Sequence, residues 1–212
     1  MRLLVTGGTG VLGRALRPEG HEVVAPGHAE LDLFDPDAVA RAVDGADAVL
    51  HLATRIPGLD AVADPDAWRE NDRLRAEASR LLVDASLAAG VATYVQPTVT
   101  FVYPPDGPAS EETPVDGVLP ILESALAAER ETARFADAGR RGVVLRLGLL
   151  DGPGTGNDAP VTRFGASLHV ADAARALLTA LALPSGIYNV CRDGERISNE
   201  KFAAAAGWRS MV

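Results

Sequence analysis

Three glycines, Gly7, Gly10 and Gly13, stand at Gly-x-x-Gly-x-x-Gly spacing in Val5-Thr6-Gly7-Gly8-Thr9-Gly10-Val11-Leu12-Gly13. Each has a physical task in dinucleotide chemistry: a tight turn, close backbone approach to a pyrophosphate, and close packing of the next helix on the preceding strand. A helix opening at Val11 would turn free N–H groups and its positive dipole end toward the phosphates. The spacing therefore assigns phosphate contact to Gly7, Thr9, Gly10, Val11, Leu12 and Gly13.

Such a loop works only between a strand and a helix, and the chain alternates the two. Apolar runs at 3–5, 23–25, 48–53, 93–95, 143–147 and 187–190 predict short buried strands. Amphipathic or Ala-rich stretches at 11–16, 36–43, 66–88, 119–138 and 170–181 predict helices. Asp35-Pro36 and Asp64-Pro65 are helix starts, an acidic cap followed by proline. The alternation implies right-handed crossovers and an α/β fold, a Rossmann-type doubly wound parallel sheet covered on both faces. Residues 103–119 and 152–167, rich in Gly, Pro, Asp and Thr, break the rhythm after predicted strands. Ligands in open α/β sheets bind beside those strand ends, so both stretches are expected to wall a site.

Composition narrows the classes. The 212 residues suit a single domain over 1–212, and 47% apolar with 23% charged residues reads as globular. No run approaches the roughly 18 apolar residues of a membrane span. Met1-Arg2 leads directly into the first strand, so no secretory leader is expected. Cys191 alone forms no internal disulfide and fits a reducing cytoplasm. A net charge of −9 argues against nucleic acid and anionic membranes. His21, His28, His51 and His169 are scattered, so no metal site is expected. The expected partner is a small-molecule substrate, with the chain a monomer or homodimer.

Six motifs in order resemble the extended and atypical short-chain dehydrogenase/reductase superfamily, the group of nucleotide-sugar epimerases, dehydratases and reductases. The glycine loop comes first. Leu31-Asp32-Leu33 is similar to the pair whose carboxylate accepts from the adenine amino group. Asp47-Ala48-Val49-Leu50-His51-Leu52-Ala53 is similar to the strand passing under the cofactor. Arg146 to Gly154 is similar to the strand and loop flanking the nicotinamide, and His169 to Asp172 and Gly186 to Val190 to later landmarks. The resemblance adds Asp32, Leu33, Leu52, Ala53 and Leu147 to the cofactor contacts.

The departures from that family carry the functional content. Its catalytic Tyr-x-x-x-Lys falls on Ile121 and Ala125, which can supply neither a phenol nor an ammonium. The serine or threonine that bonds the substrate oxygen aligns with Val99, and a slip of one residue selects Thr98 or Thr100. Strand period puts Gln96, Thr98 and Thr100 on one face if the strand stays regular through Pro97. Thr98, Thr100 and Tyr103 are the candidate catalytic residues. The alternative for the threonines is bonding to strand-end backbone groups, and for Tyr103 packing or gating. Glu129 matches a family carboxylate and is expected to be an ion-pair partner. The large C-terminal substrate lobe of the family is expected to be much reduced, to 152–168 and 192–212 as a lid.

Cofactor preference rests on the second strand. An acidic residue at its end would bind a ribose 2′-hydroxyl and repel a 2′-phosphate. Here Pro26-Gly27-His28 follows instead, and Arg14 and Arg17 lie in the first helix. NADP(H) is favoured over NAD(H), with His28 and Arg14 as contacts. Three functions remain open. One is an NADPH-dependent ketoreductase without the usual tyrosine, resembling those acting on polycyclic aromatic polyketides in actinobacterial antibiotic biosynthesis. The others are a non-redox cyclase, dehydratase or isomerase, and a cofactor-binding pseudoenzyme.

Overall fold

A computed structural model describes residues 1–58, 61, 63–115 and 119–211, with Ile121 described by its backbone alone. Strands β1 (Arg2–Thr6), β2 (Glu22–Val24), β3 (Ala48–His51), β4 (Thr93–Val99), β5 (Arg141–Leu147) and β8 (Gly186–Val190) form one sheet in the order β2-β1-β3-β4-β5-β8. Every pairing in it is parallel. A separate parallel pair, β6 (Leu149–Asp151) and β7 (Ser167–His169), extends beyond the end of β5. The order reverses direction at β1: β2 lies on one side and β3 on the other, which opens a crevice at the carboxyl ends of the strands. This is the Rossmann-type sheet expected from the alternation.

Helices α1 (Val11–Ala15), α2 (Pro36–Val43), α3 (Arg69–Arg73), α4 (Ser79–Ala89), α5 (Glu123–Asp137), α6 (Val170–Ala180) and α7 (Glu200–Ala206) cover both faces. Side chains alternate across β1: Leu3 and Val5 join the core beneath α6 and α7, and Leu4 the core beneath α2, α4 and α5. The first core includes Leu50, Leu145, Leu177 and Phe202; the second includes Val39, Val49, Leu82, Tyr94 and Phe135. Because both faces are covered, β3 is buried along its whole length, the signature of a central parallel strand.

The expected caps are present. Asp35 Oδ1 accepts from the Asp37 N–H at 2.9 Å and Asp64 Oδ1 from the Asp66 N–H at 2.9 Å, each with proline in the first turn. The helix expected over 66–88 is broken into four pieces: a 3₁₀ turn at Pro65–Trp68, then α3, a π-turn at Leu74–Ala78, and α4. Gly90 ends α4 in the left-handed conformation, φ 76°. The helix expected over 119–138 starts as a 3₁₀ turn at Pro120–Leu122 before becoming α5. β4 runs four residues farther than expected, pairing with β5 through Pro97 to Val99. Among the described residues no helix is long and apolar enough to cross a membrane.

Candidate active site

The crevice at the switch point is a cleft of about 580 Å³. Its walls are the carboxyl ends of three strands: Thr6 and Gly7 after β1, Pro26 to His28 after β2, and Ala53 to Arg55 after β3. Gly7 must be glycine. Its φ is +71°, and a Cβ there would stand 2.6 Å from the backbone nitrogen of Ala53. Gly13 holds α1 against the loop, where a Cβ would lie 2.4 Å from the carbonyl oxygen of Gly8. At Gly10 a Cβ would meet only the Gly7 carbonyl, at 3.1 Å, so that position otherwise opens into the cleft. A narrow, side-chain-free strip flanked by Thr9 fits the backbone approach a pyrophosphate needs.

Of the sequence-predicted cofactor residues, Gly7, Thr9, Gly10, His28, Asp32, Leu33 and Ala53 line the cleft. Asp32 accepts from the Phe34 N–H at 2.8 Å, which orients its carboxylate. Leu52 and Leu147 are buried in the core and have only backbone to offer, and Leu12 packs against the same core. Arg14 folds back, its Nη1 donating to the Thr9 carbonyl, and is not a lining residue. Arg17 caps α1 by donating to the Arg14 and Leu16 carbonyls at 2.9 and 2.7 Å. Glu30 reaches Gly27, its Oε2 accepting from that N–H at 2.8 Å. Leu31, Phe34, Thr54, Arg55, Glu70 and Leu74 complete the walls and were not legible beforehand. The loop after the His51-Leu52-Ala53 strand was the available signal for Thr54 and Arg55.

Beneath the cleft His51 braces two elements. Its Nε2–H donates to the Leu74 carbonyl at 3.1 Å, so Nδ1 accepts from the Thr6 hydroxyl at 2.6 Å. Burial lowers its pKa to about 4, keeping the ring neutral.

Toward β4 and β5 the polar candidates enter a closed network. Thr98 donates its hydroxyl to Glu129 Oε1 at 2.8 Å. Arg146 meets the same carboxylate and also donates Nη1 to the Tyr103 oxygen at 2.9 Å. Tyr103 donates to Asn189 Oδ1 at 2.8 Å. Burial pushes the Tyr103 pKa up, against the opposing pull of Arg146. The expected ion pair of Glu129 is thus formed, with Arg146. Regular pleating puts Gln96 and Thr98 on one face, whereas Thr100 has left the strand in a 3₁₀ turn, Thr100–Val102. Its buried hydroxyl has no hydrogen-bond partner among the described residues, and neither has that of Ser124.

Ala125 is fully buried with Val102 and Leu122, and Val99, Phe101, Val115 and Leu126 pack around them. The Ile121 side chain lies outside the described residues. An apolar cluster thus surrounds Ala125, and none of its described members carries a proton donor. Beyond it, Phe164 packs against Phe101 at a 37° tilt with ring centroids 5.1 Å apart. Arg196 bonds the carbonyls of Pro104 and Gly107, at 3.0 and 2.8 Å. Arg192 grips Asp151 at 2.5 and 2.9 Å. These ties draw the segments after β4, β6 and β8 together.

Known proteins place this architecture. The chain is 36% identical over 208 residues to a 3-diazoavenalumate denitrifying reductase from a Streptomyces species, covering 88% of this chain and 65% of that protein. It is 32% identical over 182 residues to a 2-alkyl-3-oxoalkanoate reductase from Stenotrophomonas maltophilia (strain K279a), covering 73% and 52%. The chain therefore spans less than two thirds of the length of both curated relatives. The structure of RMD from Pseudomonas aeruginosa complexed with NADPH superposes with a TM-score of 0.81 at 23% identity, over all of this chain and 94% of that one. At that identity it speaks for the fold alone. The model of the NAD dependent epimerase/dehydratase family matches residues 3–168, and the chain belongs to that family.

Proposed function

We propose that the chain is an NADP(H)-dependent reductase that delivers hydride to an aromatic acceptor without a protein phenol as acid. The observation that carries this reading is the pairing of a cleft built for a dinucleotide with an apolar cluster around Ala125. A reduced nicotinamide, when bound, supplies hydride to the acceptor. Gly7, Thr9 and Gly10 would cradle the phosphates and Asp32 the adenine. Preference for NADP(H) is supported by His28 in the cleft wall and by the lack of a carboxylate directly after β2; Glu30 on Gly27 is the opposing feature.

Reduction of a ketone leaves an alkoxide that must be protonated, and a general acid ordinarily contributes about 10²- to 10⁴-fold. Tyr103 is held between Arg146 and Asn189, and Thr98 donates to Glu129, so each hydroxyl proton is engaged within the protein. A hydroxyaromatic ketone would supply the proton from its own adjacent phenol. The protein's contribution is then orientation, worth several kcal/mol. Segments 152–168 and 192–212 would form the small lid over that acceptor.

The 36% identical relative favours a second acceptor, one bearing a diazo group. An arenediazonium that accepts hydride ends as arene and dinitrogen with no proton taken up, which also suits a site lacking an acid. NADPH oxidation against matched ketone, O-methylated ketone and diazo arene tests these readings. Loss of turnover on methylation supports the phenol-assisted ketone, and turnover of the diazo arene alone supports the second acceptor. Cofactor binding with no oxidation of NADPH by any of them overturns the reductase reading in favour of a non-redox enzyme or pseudoenzyme.

A further inference from the structure

Along the inward face of the broken helix before β4 run Asn71, Arg75 and Ser79, spaced four apart and all buried. Ser79 is satisfied, its hydroxyl donating to Gln96 Oε1 on β4 at 3.1 Å. The other two are not. Asn71 Oδ1 accepts from the Arg55 N–H at 3.2 Å, yet its buried Nδ2 has no acceptor among the described residues. Arg75 is 5% exposed, and among the described residues its guanidinium makes no hydrogen bond or ion pair. The opposite charge it feels is Asp72, whose buried Oδ1 has no partner among the described residues.

A buried guanidinium without an acceptor costs far more than an apolar side chain of the same size. Its setting explains what such a cost could serve. The Arg55 loop bonded to Asn71 is a wall of the cleft, and Leu74, the residue before Arg75, is another. The π-turn of Leu74–Ala78 holds Arg75 and packs against α5. Such turns recur at functional sites because they re-aim inward side chains. The first turn of α5 carries Ser124, whose buried hydroxyl also has no partner among the described residues. Buried donors that no described residue receives suit an anion.

We propose that Arg75 and Asn71, which adjoin the cleft-wall residues Leu74 and Arg55, bind the carboxylate of the acceptor substrate. The identity of the ligand as substrate rests on the reductase reading; the presence of an anion site does not. The substrate class is an aromatic carboxylic acid, its planar carboxylate matched by the guanidinium fork. The cofactor's phosphates are the competing source of negative charge, and they belong at the glycine loop.

The test uses 4-hydroxybenzoate and 4-hydroxybenzamide, which differ in charge and little else. Each is titrated calorimetrically into the protein in low-chloride buffer, with and without NADP⁺. The benzoate should bind at least about tenfold more tightly than the amide, as for other hydrogen bonds to charged groups. Arg75→Met should erase that difference and leave NADP⁺ affinity unchanged, and Arg75→Lys should restore part of it. Independently, Arg75→Met should raise the melting temperature in anion-free buffer, because it removes an uncompensated buried charge. Equal binding of the two probes, or binding of neither, overturns the proposal. So does an unchanged preference in Arg75→Met, a loss of NADP⁺ affinity with the carboxylate preference intact, or a lowered melting temperature. The melting readout needs no cofactor, so it fails or succeeds separately from the reductase reading.

Discussion

Arg146 grips Glu129 through two parallel hydrogen bonds, Nε to Oε1 at 2.9 Å and Nη2 to Oε2 at 2.6 Å, with both side chains buried. The pair links β5 to α5, and through the third arm of Arg146 it fixes Tyr103. Removing one partner strands the other charge away from water. Glu129→Ala is expected to cost about 3–5 kcal/mol in urea unfolding. The double variant Glu129→Ala with Arg146→Met should recover most of that loss; additive losses would show that the pair is not the unit of stability.

Thr98 and Tyr103 are the hydroxyls tied to that pair, and their variants separate framing from chemistry. Tyr103→Phe leaves Arg146 Nη1 and Asn189 Oδ1 short of a partner, for a loss of roughly 1–3 kcal/mol in stability. Turnover should survive. Near-complete loss in a folded Tyr103→Phe protein would make Tyr103 the proton donor. Thr98→Val should leave cofactor affinity intact, and a fall in turnover on the order of 10²-fold would give Thr98 a direct role.

Two glycines of the loop should fail in different ways. Gly7→Ala places a Cβ against the backbone of Ala53 at positive φ, so it should lower the melting temperature before any ligand is added. Gly10→Val meets little protein, so folding should persist while NADPH binding is lost. A Gly10→Val protein that binds NADPH normally would move the phosphates elsewhere.

His51 predicts a pH dependence of stability. Unfolded, the ring takes up a proton near 6.5; folded, it does so only near 4. Acid therefore favours the unfolded chain, and stability is lost progressively as pH falls from 6.5 toward 4. The contribution is roughly 3 kcal/mol across that window. Urea midpoints at pH 7 and pH 5 should differ, and His51→Asn should flatten the difference. An unchanged slope in the variant would assign the acid sensitivity to other groups.

Restoring the family's acid pair should not restore its chemistry. Ala125 is fully buried against Val102 and Leu122, so Ala125→Lys must force an ammonium into apolar packing. A cost of at least about 2 kcal/mol is expected, and Ile121→Tyr with Ala125→Lys should not raise NADPH turnover. Increased turnover would mean that the site retains the geometry of the ordinary acid.

The glycine spacing, the alternation of apolar runs and the acid–proline starts determined the sheet, its cofactor loop and both caps. Those features depend on residues near one another in the chain, where turn geometry, periodicity and capping act locally. The departures at Ile121 and Ala125 were equally visible, because they are changes of residue type at counted positions. Thr98 was legible as a hydroxyl sharing a face of β4 with Gln96. That it donates to Glu129, 31 residues away, was decided only when α5 packed across the sheet. Tyr103 reaches Asn189 across 86 residues for the same reason. Arg75 gave no sign in sequence, since a single arginine in a helical stretch reads as a solvated surface residue. Its burial follows from the π-turn and from α5 packed against it, and that packing exists only in the folded chain.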